Sequence, residues 1–132
     1  MSAYPTTAEA IEALYSTGHW LHSLGRHRDA AVVFRAMATA SRHDERAWLA
    51  LGACHEASGH ADVALQLYGF GGIVAGPSAR CEIARVRVLR SAGEDAKADE
   101  VLLRAEEIAE ARDDDALRAL VAAERSASCP AR

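Results

Sequence analysis

The sequence predicts an all-α solenoid, three antiparallel helix pairs stacked in register and closed by a seventh helix. Three observations carry that prediction. Glycines recur at a 34-residue interval, at Gly25, Gly59 and Gly93. Five residues after each comes an alanine (Ala30, Ala64, Ala98), and four further on a large apolar residue (Phe34, Tyr68, Leu102). The composition suits helices: Ala, Leu and Arg dominate, β-branched residues are sparse, and only seven of the 132 residues are aromatic.

A fixed period of this length marks a repeat architecture, and 34 residues is the tetratricopeptide period. Each glycine ends one helix in a tight turn where positive φ costs little. The alanine sits where the two helices of a repeat approach most closely, and the large residue after it is expected to fill the space between neighbouring repeats. Upstream of the glycine, the second repeat carries Trp48, Leu51, Gly52 and His55 in a large, large, small, large order. The first repeat reads Leu14, Thr17, Gly18, Leu21 and the third Glu82, Arg85, Val86, Leu89, which departs most, as a terminal repeat does.

The elements follow in order, at about 7–24, 27–41, 44–58, 61–75, 78–92, 95–111 and 114–126. Asp44 can cap the third helix. Gly76-Pro77-Ser78 breaks the chain before the fifth. Asp113 or Asp114 can cap the last, whose Leu117, Leu120 and Val121 form a helical apolar face expected to cover the open end of the third repeat. Residues 126–132 read as a frayed tail. The chain is one domain, 1–132, with repeats about 11–44, 45–78 and 79–112 and a capping helix about 114–126.

Half the residues are hydrophobic, enough for a single core. A net charge of −4 argues against nucleic acid as a partner. No apolar run approaches the roughly 20 residues needed to cross a bilayer, and Met1 to Thr7 lacks the pattern of a secretion signal. Cys54, Cys81 and Cys129 are odd in number and widely spaced, so reduced thiols in the cytoplasm are expected.

Stacked helix pairs curve, and the first helix of each pair lines the concave side. Its inward positions, the second, fifth, ninth, twelfth and thirteenth of each repeat, define a candidate peptide-binding groove. The first repeat supplies Tyr15, His19 and His22 beside Glu12 and Ser23. The second supplies Arg46, Leu49, Ala53 and Glu56 beside Ala57, and the third Ile83, Arg87 and Arg90 beside Arg80 and Ser91. The gradation from rings through small apolar residues to arginines suits an extended peptide with apolar anchors and some acidic character.

Other constellations have plainer readings. His19 and His22 have a spacing able to hold a metal, but no cysteine or carboxylate pair clearly completes a site, so neither metal nor cofactor is expected. Gly69-Phe70-Gly71-Gly72 follows a helix and lacks the order of a phosphate loop, so it reads as close helix packing with a local kink. Cys54 and Cys81 read as buried structural thiols. Arg80, Arg85, Arg87 and Arg90 form a basic stripe, either solvated or facing acidic client residues. No acid–base or nucleophile set converges, so an enzyme is not expected.

Leu14-Tyr15-Ser16 through Gly25, with Asp29-Ala30 and Val33-Phe34, resembles the opening of the class II chaperones of bacterial type III secretion, the LcrH/SycD family. Leu51-Gly52-Ala53-Cys54, Gly59, Ala64-Leu65 and Tyr68-Gly69 are similar to that family's second repeat. Leu89, Gly93, Ala96, Ala98, Glu100 and Ala105-Glu106 match the third more loosely. The resemblance spans roughly residues 9–112. It implies a cytoplasmic chaperone that holds an extended N-terminal segment of a hydrophobic translocator in its concave groove before export.

Two departures bear on that expectation. The family carries an N-terminal segment that pairs two chaperones. Here about eight residues precede the first helix, so at most a weak homodimer is expected. Where the family has groove aromatics, this chain has His19 and His22, with Tyr15 retained, which implies a smaller, more polar pocket. If both stack neutral against apolar groups, affinity weakens as pH falls towards about 6, and an affinity flat from about pH 5.5 to 8 would rule that out. The alternatives are a co-chaperone holding a needle subunit's terminal helix, and a general protein-interaction scaffold outside secretion.

Overall fold

The computed structural model describes residues 7–127, which form seven helices and, among those residues, no strand. They are α1 (Thr7–Ser23), α2 (His27–Ala40), α3 (Glu45–Ala57), α4 (Ala61–Val74), α5 (Ala79–Ser91), α6 (Asp95–Arg112) and α7 (Asp115–Ala127). Cys129, Met1 to Thr6 of the N-terminal reading and residues 128–132 of the expected tail lie outside the described residues, while Ser126 and Ala127 complete α7.

The same turn closes each pair. Gly25, Gly59 and Gly93 have φ of 77°, 81° and 77°. The next residue's N–H returns to a carbonyl five positions back, Arg26 to Leu21, His60 to His55 and Glu94 to Leu89, at 3.0, 2.8 and 2.8 Å. This left-handed C-terminal cap satisfies carbonyls that the helix end leaves open.

The starts of the following helices use side chains. Asp44 accepts the N–H of Arg46 at 3.1 Å. Asp114 accepts that of Leu117 at 3.2 Å, while Asp113 takes the left-handed turn ending α6. Ser78 is 2% exposed; its hydroxyl accepts the N–H of Cys81 at 3.1 Å and donates to Glu45 at 2.6 Å. One hydroxyl thus caps α5 and ties it to the start of α3. Ser78→Ala is expected to lower stability by about 1–2 kcal/mol, read from urea unfolding. An unchanged midpoint would mean the cap contributes nothing.

Ala30, Ala64 and Ala98 are fully buried, as their column requires. The large residue after each has a different place from the one expected. Phe34 and Tyr68 press onto the first helix of their own repeat. A Cβ added at Gly18 would lie 2.5 Å from Phe34 Cε1, and one at Gly52 2.2 Å from Tyr68 Cε1. Both glycines are therefore sockets for rings. The third repeat holds Val86 and Leu102 in these two columns, both buried, so a larger socket residue accompanies a smaller plug.

Glycines also let α4 sit close to its neighbours. A Cβ on Gly71 would lie 2.7 Å from that of Trp48 and 2.8 Å from Cys81 Sγ. Cys54 and Cys81 are free, buried thiols, and burial pushes each up to about 11.

The first helices of successive pairs touch, α1 with α3, α3 with α5, and α5 with α7. Among the described residues the backbones of α2, α4 and α6 stay apart from one another. The stack therefore closes on the side of the first helices and opens on the side of the second, which makes α1, α3 and α5 the concave lining. α7 continues the 34-residue register, with Leu117, Val121 and Glu124 following Ile83, Arg87 and Arg90.

Candidate peptide-binding groove

At the first repeat the groove is a group of rings. Tyr15 is half-buried, with His19 edge-on to it at 4.5 Å between centroids. His19 in turn stands edge-on to the buried Phe34 at 5.6 Å. The guanidinium of Arg46, from α3, lies 4.5 Å above the Tyr15 ring. Two carboxylates hold it there: Glu12 of the first repeat at 2.7 Å and the cap Asp44 at 2.8 Å. Hydrogen bonding to Arg46 holds both carboxyls below the usual range, and the same partners keep Arg46 protonated.

The middle of the expected groove is small and apolar. Leu49 and Ala53 are half-buried on α3, and the exposed Glu56 accepts the Tyr68 hydroxyl at 2.9 Å. Tyr68 itself is pushed up, first by burial and then by that carboxylate.

The far end differs from the sequence expectation. Ile83, expected on the lining, is 2% exposed and belongs to the core that α5 and α6 share with Leu117 and Val121 of α7. α7 covers it because its apolar face needs burial and α5 offers the matching surface. The arginines are also engaged. Glu124 of α7, 7% exposed, meets Arg87 at 3.0 Å and Arg90 at 2.9 Å, and Arg90 also donates to the Glu124 carbonyl at 3.0 Å. Arg85 leaves the expected stripe altogether: it points away from this face and pairs with the buried Glu82 at 2.9 Å.

His22 is likewise turned from open groove to junction. Its Nδ1 lies 2.9 Å from Nδ1 of His27 and 3.7 Å from Cys54 Sγ. One imidazole donates and the other accepts, so at least one ring must be neutral there. Burial first, then His27 and His19, lowers the His22 pKa, and burial lowers that of His55.

A depressed imidazole pKa contributes stability above the unfolded value of 6.5. That contribution is lost as pH falls from there through the lower folded value. The melting temperature is accordingly expected to drop between about pH 7.5 and 5.5, and His22→Gln should flatten the slope. An unaltered slope in the variant would contradict this assignment.

The structure thus joins Tyr15, His19 and Arg46 by direct contact, leaves Leu49 and Ala53 half-buried and Glu56 exposed on α3, and pairs Arg87 and Arg90 with Glu124. Glu12, Asp44 and Glu124, which pair the groove's arginines, were not singled out as groove residues in that role. Glu124 lies one further repeat period after Arg90, so extending the register would have found it. No helix among the described residues is long and apolar enough to cross a membrane.

No family model matches the chain. The low calcium response locus protein H of Yersinia pestis is 32% identical over 102 residues, 77% of this chain and 61% of that protein. The chain therefore spans under two thirds of the length of the curated relatives it matches. Among solved structures, the type III secretion translocator chaperone SycD of Yersinia enterocolitica superposes with a TM-score of 0.78 at 29% identity, over 91% of this chain and 90% of that one. SycD in complex with a peptide of the translocator YopD gives 0.72 at 30% identity, over 90% and 92%. PcrH, known from Pseudomonas aeruginosa, in complex with the chaperone-binding region of PopB, gives 0.74 at 26%, over 94% and 99%.

Proposed function

The chain belongs to the LcrH/SycD family of type III secretion chaperones, and on that premise we propose that it is a non-enzymatic, cytoplasmic chaperone holding an extended segment of a secreted translocator in its concave groove. The observation that supports this reading is the run of half-buried Tyr15, Leu49 and Ala53 along the first helices of the stack, α1 and α3. Two of the similar solved structures are complexes of this kind, SycD with a peptide of the translocator YopD and PcrH with the chaperone-binding region of PopB.

The groove refines the client's chemistry. Arg46 already has two carboxylates and Arg90 has Glu124, so an acidic client residue would have to displace an internal partner. Apolar side chains of an extended segment therefore supply the attraction, with the backbone aligned along the stacked helices. Covering such a segment lowers the concentration of exposed apolar surface before export.

Co-expression with the open reading frames that flank the gene, followed by mass spectrometry of the co-purified partner, tests this. A large membrane-active protein is expected. A small needle subunit would favour the co-chaperone role, and a folded partner whose solubility does not depend on this chain would favour a scaffold.

A further inference from the structure

Two clefts flank α4 on the convex face, opposite the first helices, and they hold the same place in successive repeats. One lies between α2 and α4, about 290 Å³, with Trp48 and Leu51 of α3 in its lining. The other lies between α4 and α6, about 560 Å³, with Glu82 and Arg85 of α5 in its lining. Glu82 and Arg85 stand 34 residues after Trp48 and Leu51. The repeat therefore exchanges two apolar residues for an ion pair, and the cleft beside that pair is the larger.

Stability does not explain the exchange. The Glu82 side chain is 4% exposed and meets Arg85 at 2.9 Å. Apolar residues of similar volume in place of a buried ion pair are often neutral or stabilising. The pair is also incompletely satisfied, since Arg85 Nε is buried without a hydrogen-bond partner. Glycine on α4 makes room for it: a Cβ on Gly72 would lie 2.5 Å from Glu82 Oε1. Charge kept in columns that the preceding repeat fills with Trp and Leu is the kind of local violation that marks a binding site.

The charges of this cleft do not balance. Arg85 answers Glu82. Arg104 of α6, also in the lining, makes no ion pair among the described residues, although Glu100 and Glu107 stand one turn away on either side. One positive charge is left over. Around it the rim is apolar, with Phe70 57% and Ile73 76% exposed.

We propose that this cleft binds a small monocarboxylic acid with an apolar body, aromatic or medium-chain aliphatic. The body lies against Phe70 and Ile73, and the carboxylate meets the guanidinium of Arg104 and the exposed part of Arg85. The volume falls in the range of roughly 300–1,000 Å³ that small-molecule sites occupy. A cation would face Arg104 with like charge, and a neutral apolar molecule would desolvate Arg104 without pairing it. The cleft is separate from the concave groove, so this site and the client reading stand or fall independently.

Displacement of anilinonaphthalene sulfonate, an aromatic monoanion, from the full chain tests the proposal. Saturable one-to-one fluorescence titration is expected. Octanoate should displace the probe at least about tenfold more effectively than octanol of the same chain length. That preference should disappear in Arg104→Gln, on an exposed side chain, and in Glu82→Leu/Arg85→Leu, which restores an apolar lining; circular dichroism melts check that both fold. Ile73→Asp should abolish probe binding, while Val32→Asp, at an exposed apolar residue of α2 outside the cleft, should leave it unchanged. Absence of saturable binding, or octanol displacing as well as octanoate, overturns the proposal. A preference for octanoate that survives in either charge variant, or binding unaltered by Ile73→Asp, overturns it too.

Discussion

Gly18→Val is expected to destabilise the protein by about 3 kcal/mol, the upper range for overpacking a filled site. The new Cβ alone would meet Phe34 Cε1 and Cζ at 2.5 Å, and Phe34 is 1% exposed, with nowhere to withdraw. Its ring also backs His19 and Tyr15, so the damage reaches the groove. The repair is already present in the third repeat, which pairs Val86 with Leu102 in the same columns. Gly18→Val with Phe34→Leu should therefore recover most of the loss. A double-mutant cycle from urea unfolding measures the coupling, expected to be of order 2 kcal/mol and favourable. Additive losses would show that socket and plug do not act as a unit.

Leu49→Glu is expected to weaken binding of a translocator segment at least about a hundredfold, or roughly 3 kcal/mol, measured at a temperature well below the variant's own melting temperature. Leu49 stands at the middle of the proposed groove, half-buried, with part of its side chain against Ala64, Tyr68 and Val88. A carboxylate there would be desolvated by the bound chain without a free cation nearby, because Arg46 is held by Glu12 and Asp44. Tyr15→Ala should cost about tenfold, since it removes a flat anchor but leaves no buried charge. Fluorescence anisotropy with a labelled segment of the co-purified partner reads both losses. Equal affinities for wild type and Leu49→Glu would remove Leu49 from the contact surface.

The helices were legible because their punctuation is local. A glycine at positive φ, an alanine at a close approach and a capping Asp or Ser each act within a few residues, and all seven helices lie within a residue or so of where the sequence set them. The groove was legible only in part. Tyr15, Leu49 and Ala53 are half-buried rather than buried, which leaves the groove reading of them standing as a proposal. Ile83 has the same repeat position, yet its burial depends on α7, a packing partner that its own repeat does not reveal.

Arg87 and Arg90 illustrate the same difficulty for charge. Their partner Glu124 stands on the capping helix α7, outside the repeat that carries the arginines. The third repeat's departure at Val86 also has meaning only beside Leu102. Each residue alone breaks a column, while the pair preserves the volume. The partner of His22 was not legible because the i, i+3 spacing with His19 says nothing of His27, which the turn at Gly25 brings to 2.9 Å.

The most direct test is site-specific photo-crosslinking with a co-expressed translocator, placing a benzophenone side chain at Leu49 on the concave face or at Leu103 on the convex one. Crosslinking to the translocator's chaperone-binding segment from position 49, and none to that segment from position 103, is the predicted result. A crosslink to that segment from position 103 with none from position 49 would contradict a client held in the concave groove.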